Sequence, residues 1–134
     1  MPKSNAIIIK IMKNISLIAH DGKKPEMVSF VNKNRDILEK CKVYTTGTTG
    51  KFIELEGFEV TKLLSGPRGG DAQIASMIAE GKLDAVIFFR DPLEKHPHEP
   101  DVQMLLRLAD VYNIPLATNP KAGQYILWGI EREM

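Results

Sequence analysis

Ala85-Val86-Ile87-Phe88-Phe89 is an unbroken apolar run that stops abruptly at Arg90-Asp91-Pro92. With no polar residue alternating along it, the run reads as a strand buried on both faces, and such a strand needs a sheet with helices on each side. The pattern recurs along the chain. Ile15-Ser16-Leu17-Ile18-Ala19 ends at His20-Asp21-Gly22, Val43-Tyr44-Thr45 ends at Thr46-Gly47-Thr48-Thr49-Gly50, and residues 58–64 end at Ser65-Gly66-Pro67-Arg68-Gly69-Gly70-Asp71. Ile114-Pro115-Leu116-Ala117-Thr118 supplies the last such run.

Helical spacing fills the intervals. Met27, Phe30, Val31 and Leu38 recur at three, four and seven, which predicts one helix with a single apolar stripe. A short helix is expected near residues 51–55, and another over 72–80, with Ile74, Met77 and Ile78 as its stripe and Gly81 as its stop. Asp101 opens a helix behind Pro100, carrying Val102, Leu105, Leu106, Ala109 and Tyr112 on one side. A weaker helix is expected from about Lys121 to Leu127. Strands alternating with crossover-length helices imply an α/β, single-domain three-layer sandwich with a mainly parallel, doubly wound sheet. Residues 15–134 form that domain, and residues 1–14 read as an N-terminal extension or an edge strand. In such sheets ligands bind beyond the carboxyl ends of the strands, where every polar cluster named above falls.

A chain of 134 residues can bury a core without metal or disulfide staples. Eighteen Lys plus Arg against seventeen Asp plus Glu leave a formal charge of +1, so no global basic field recruits nucleic acid or an anionic membrane. Any anion site is therefore local. Cys41 is the single cysteine, which excludes an internal disulfide; opening an apolar run, it reads as a small core residue without a chemical role. The apolar stretch from Ala6 to Met12 is interrupted by Lys10 and falls far short of the ~20 residues of a membrane span. A cytoplasmic protein is the expectation.

The strand ends carry matched chemistry. Thr46, Gly47, Thr48 and Thr49 offer hydroxyls and backbone N–H groups at a helix start, and Ser65 with Gly66 offers the same on a neighbouring loop. Glycine admits close approach of an anion, and the helix N-terminus adds partial positive charge. Lys24, four residues after His20, adds a full one. Together these suit a phosphate monoester. The Walker lysine pattern and G-x-G-x-x-G are both absent, so a nucleoside triphosphate or dinucleotide is not favoured.

Asp71 follows two glycines and reads either as a helix N-cap or as a general base. Asp91, His98 and Asp101 would join it at the same edge, where mutual repulsion and partial burial raise a carboxylate pKa toward that of a working base. Asp91 before proline also reads as a turn residue, and Asp101 as a first-turn helix residue. His96 and His98 alternate, so a metal site with His20 and Asp101 is the competing reading. A proline-broken loop is a poor frame for paired imidazoles, which favours His98 as an electrophile or proton carrier.

These residues resemble the methylglyoxal synthase family. The motifs that carry the resemblance are Ala19-His20-Asp21, Thr46-Gly47-Thr48-Thr49-Gly50, Ser65-Gly66-Pro67 with Gly69-Gly70-Asp71, Phe88-Phe89-Arg90-Asp91-Pro92, Pro97-His98-Glu99-Pro100-Asp101-Val102, and Ile114-Pro115-Leu116-Ala117-Thr118-Asn119. The resemblance implies a cytoplasmic homohexamer that uses no metal or organic cofactor, a lyase acting on phosphates. Its reaction takes dihydroxyacetone phosphate (glycerone phosphate) to methylglyoxal and inorganic phosphate in a glycolytic bypass. It further implies Asp71 as the base, His98 as the group polarising the carbonyl, and Lys24, Thr46, Gly47, Thr48, Thr49, Ser65 and Gly66 as the phosphate cradle. His20 would line the pocket, while Asp21, Asp91 and Asp101 would support the histidines or relay protons. Lys121-Ala122-Gly123-Gln124 and residues 128–134 depart from the family's usual sequence. The alternatives are a regulatory module of the same fold like those of carbamoyl phosphate synthetase, a triose phosphate isomerase-like enzyme, and a metal-dependent hydrolase.

Overall fold

The computed structural model describes residues 12–93 and 102–134. Among these residues, five strands form one sheet in the order β3-β2-β1-β4-β5, with every pairing parallel. The strands are β1 (Lys13–Ala19), β2 (Cys41–Thr45), β3 (Thr61–Lys62), β4 (Ala85–Phe89) and β5 (Leu116–Ala117). The helices are α1 (Lys24–Lys33), α2 (Arg35–Leu38), α3 (Gly47–Glu54), α4 (Gly70–Ala79), α5 (Val102–Val111) and α6 (Pro120–Glu133).

Strand alternation sorts the core onto two faces. Ile15 and Leu17 of β1 with Ile87 and Phe89 of β4 face the layer containing Met27, Phe30, Ile53 and Leu127. Ile18, Val86 and Phe88 face the other layer, with Ile74, Ile78 and Leu105. β4 is buried along its whole length, as its uninterrupted apolar run requires. The winding runs outward from β1 to β3, then returns to β4 beside β1. The carboxyl ends of β1 and β4 therefore form the switch point, where helices on opposite faces diverge and leave a crevice. Among the described residues no helix is long and apolar enough to cross a membrane.

Several elements differ from the sequence expectation, each for a tertiary reason. The single helix expected over 27–38 breaks at Asn34. The buried Asn34 amide donates to the Phe30 carbonyl at 2.9 Å and accepts from Gln124 of α6 at 2.8 Å, so a side chain competes with the helical ladder. α3 starts at Gly47 rather than near Lys51, so the glycine–threonine run is the first turn of a helix with extended Thr46 at its N-cap position. β3 pairs only at Thr61 and Lys62, because the chain beyond is claimed by helices: the Leu64 N–H donates to Gln73 Oε1 at 2.8 Å and its carbonyl accepts from Gly47 N–H at 3.1 Å. α6 runs well past Leu127, started by Asn119, whose side chain accepts from the Ala122 N–H at 3.0 Å, and by Pro120 in the first turn. β1 begins at Lys13, two residues before the apolar run that starts at Ile15.

Candidate active site

The carboxyl ends of β1 and β4 are tied by the main chain, with the His20 N–H donating to the Phe89 carbonyl at 3.1 Å. The His20 side chain is buried, and its ring meets Phe88 edge-on at 5.0 Å between centroids. Its Nδ1 accepts the Asp91 N–H at 2.8 Å. Asp91 Oδ1 in turn accepts the Leu93 N–H at 3.1 Å.

Lys24 enters from the start of α1 and is buried. Its ammonium donates to the Ala19 carbonyl at 2.9 Å and to Asp21 Oδ1 at 2.8 Å. Burying an ammonium costs several kcal/mol unless it is paired and hydrogen-bonded. Both conditions hold here, yet the Asp21 side chain is 88% exposed, so part of the compensation lies at the solvent edge. A dianion arriving at that edge meets a cation already desolvated.

The start of α3 converges on the same carbonyl. Thr49 Oγ1 accepts the Ala19 N–H at 3.2 Å and lies 3.4 Å from the Ala19 oxygen, while the Thr46 hydroxyl donates to Thr49 Oγ1 at 3.3 Å. The Thr49 hydroxyl is thus an internal clasp between α3 and β1, and the Thr46 hydroxyl braces it. Thr48 is exposed and is the first-turn hydroxyl open to a ligand. The Gly47 N–H is spent on the Leu64 carbonyl, which stitches the start of α3 to the loop that begins at Ser65. Thr46 supplies no side-chain cap, so Thr48 and Thr49 carry the first-turn N–H groups available to an anion.

The second loop is shaped by its glycines. Gly69 has φ +111°, the left-handed region, and a Cβ on Gly70 would overlap the Leu64 carbonyl oxygen. This close approach lays Ser65 and Gly66 directly beside the start of α4. Ser65 is extended, supplies no side-chain cap, and takes the Arg68 and Gly70 N–H groups on its carbonyl at 3.0 and 2.9 Å. Gly69 is the N-cap of α4, so Asp71 is not a capping residue; it sits half-buried in the first turn.

His96, His98 and Asp101 lie outside the described residues, as does the metal reading that depends on them. The described members of the expected site, His20, Asp21, Lys24, Thr46, Gly47, Thr48, Thr49, Ser65, Gly66, Asp71 and Asp91, all stand at the carboxyl edge. Cys41 stays outside it: its buried thiol donates to the Ile37 carbonyl at 3.4 Å, and burial, aided by the Asp84 charge, pushes its pKa up to about 11. The sequence left Lys23 and Arg90 without a role. Both line a cavity of about 480 Å³ beside the site, with Thr118 and Asn119. For Arg90 the available signal was a charge directly after the buried β4.

Comparison with known proteins matches residues 26–118 to the MGS-like domain family. The methylglyoxal synthase of Thermoanaerobacterium thermosaccharolyticum is 54% identical over 119 residues, covering 88% of this chain and 89% of that protein. The chain belongs to the methylglyoxal synthase family. The methylglyoxal synthase of Cupriavidus taiwanensis is 48% identical over 120 residues, covering 89% of this chain and 90% of its own. The crystal structure of methylglyoxal synthase from Elizabethkingia anophelis superimposes with a TM-score of 0.83 at 47% identity, covering 87% of this chain and 77% of that one. A methylglyoxal synthase is an enzyme, a lyase, and the α/β fold with its parallel sheet is the one shared with that structural relative.

Proposed function

We propose that this chain converts dihydroxyacetone phosphate to methylglyoxal and inorganic phosphate, acting as a cytoplasmic homohexamer without metal or organic cofactor, in a bypass of glycolysis. The observation that carries the site assignment is the meeting of Lys24 Nζ and Thr49 Oγ1 on one oxygen, the Ala19 carbonyl, at 2.9 and 3.4 Å. That meeting joins a buried cation to the first turn of α3, and the Gly47 to Leu64 bond joins α3 to the Ser65 loop that leads to Asp71.

In the proposed reaction Lys24, Thr48, the amides of Thr48 and Thr49, Ser65 and Gly66 hold the phosphate, with Thr46, Thr49 and Gly47 bracing the cradle. Asp71 removes a proton from the hydroxymethyl carbon beside the carbonyl. His98 polarises the carbonyl oxygen, His20 lines the pocket, and Asp21 and Asp101 support these groups. Each donor aimed at the developing oxyanion is worth about 3 kcal/mol. The resulting enediolate expels phosphate only when the C–O bond stands perpendicular to its plane and overlaps the π system. The cradle's task is to hold the phosphate out of that plane, whereas an isomerase keeps it within.

The test is incubation with dihydroxyacetone phosphate in the presence of EDTA, with methylglyoxal and phosphate measured separately. Equal release of both is the expected outcome. Glyceraldehyde 3-phosphate as the main product would establish an isomerase, and loss of activity restored by zinc would establish the metal reading.

A further inference from the structure

We infer that Asp91 is a positioning residue that acts through its main-chain amide, presetting His20 as a neutral imidazole with its proton on Nε2. A backbone N–H can only donate, so the 2.8 Å bond from Asp91 N–H to His20 Nδ1 requires a free lone pair on Nδ1. The single ring proton of the neutral form is then on Nε2, and His20 offers the pocket a donor rather than a base. The ring is held in that orientation. It is buried, packed edge-on against Phe88, and follows a main-chain bond from His20 N–H to Phe89 O at 3.1 Å.

The Asp91 carboxylate has a different task from the one its residue type suggests. Its Oδ1 accepts the Leu93 N–H, two residues on, at 3.1 Å. That is an Asx turn, here with Pro92 inside it to restrict the backbone. The turn aims the Asp91 amide back at β1, across the switch point. The side chain builds the turn, the turn orients the amide, and the amide selects the tautomer. Neither carboxylate oxygen carries a proton in this account, and asparagine satisfies the same geometry.

This inference rests on the methylglyoxal synthase reading only for its kinetic consequence; the tautomer is a property of the unliganded protein. The experiment compares wild type, Asp91→Asn and Asp91→Ala in full-length protein with isotopically labelled histidine. The ¹⁵N signals of the His20 ring report the tautomer, and turnover of dihydroxyacetone phosphate and affinity for inorganic phosphate are measured in parallel. Wild type is expected to show the Nε2–H form alone. Asp91→Ala is expected to lose that single signature and roughly ten- to a hundred-fold in kcat, the equivalent of one oriented donor. Phosphate affinity should hold, and Asp91→Asn should restore both the signature and most of the rate. A hundred-fold loss in Asp91→Asn with the His20 signature intact would overturn the inference and make the carboxylate a proton carrier. So would Asp91→Ala with both signature and rate preserved. If wild type made no methylglyoxal, the functional reading would fall, while the His20 signature would still decide for or against the role of the amide.

Discussion

The two edges of the sheet carry similar polar residues and put them to opposite uses. At the amino edge, Asp84 Oδ2 accepts the Asn14 N–H at 2.8 Å, Asn14 Nδ2 donates to the Lys82 carbonyl at 3.0 Å, and the Asp84 N–H donates to the Asn14 carbonyl at 2.8 Å. These bonds close on one another and fasten the start of β4 to the start of β1. At the carboxyl edge stand an exposed hydroxyl at Thr48, an extended Ser65 without a cap bond, a half-buried Asp71 and the buried Lys24. Parallel topology makes the difference. Each helix that follows a strand begins near that strand's carboxyl end, so the N–H ends of α1, α3 and α4 collect on one side. Carboxylate, amide and lysine close on one another as a clasp at the amino edge, and at the carboxyl edge they stand beside the free N–H ends of helices, where the proposed anion site lies.

The sharpest way to break this contrast is Asp71→Asn, which keeps size and removes basicity. Turnover is expected to fall by about 10²–10⁴ with phosphate affinity little changed, and exchange of the substrate's C–H proton with deuterated solvent should stop. Because Gly69 caps α4, stability should barely move, a point that thermal unfolding checks. Unimpaired exchange with slow phosphate release would move the base elsewhere, with Asp101 next.

A smaller effect separates the two kinds of cradle residue. Lys24→Ala removes a charge-assisted contact and should weaken phosphate binding by about 1.5–3 kcal/mol, while Thr48→Ala removes a neutral donor worth about 0.5–1.5 kcal/mol. Calorimetric titration with inorganic phosphate measures both. Equal affinity in both variants and wild type would show that the cradle is elsewhere.

At the amino edge, Asp84→Ala leaves the Asn14 N–H without its acceptor and should cost about 1–3 kcal/mol of stability in denaturant unfolding. Turnover per folded molecule should remain that of wild type, since Asp84 and Asn14 bond to each other and to Lys82 at the opposite edge from the candidate site. A fall in turnover would erase the distinction between the edges.

Cys41, also at the amino end of its strand, gives the smallest signal. Its thiol pKa of about 11 in the fold stands above the ordinary 9.0, so the unfolded chain releases this proton first as pH rises. The contribution to stability is complete below pH 9 and is lost as pH climbs through about 11. Alkylation by iodoacetamide at neutral pH should accordingly be slow in the native protein and fast in denaturant.

Much of this was written in local pattern. The unbroken run of β4 announced a strand covered on both faces, and each polar cluster that ends an apolar run stands where a parallel sheet puts a site. The stripe of Ile74, Met77 and Ile78 likewise announced the helix that became α4, which ends at Ala79 just before Gly81. These features were legible because burial period and turn chemistry depend on residues a few positions apart.

Tertiary structure decided what depends on distant partners. Asn34 breaks a helix whose apolar spacing runs straight through it, because Gln124 of α6 reaches its amide. Thr49 turns its hydroxyl to β1 and Thr46 turns its own to Thr49, while Thr48 remains exposed, a division invisible in a run of similar residues. The tautomer of His20 belongs to the same class, set by an amide that follows β4 rather than by anything near position 20. A residue's type fixes which bonds it is able to make, but a buried donor or acceptor takes the partner that the packed fold brings within about 3 Å, and that choice exists only once β1 and β4 lie side by side.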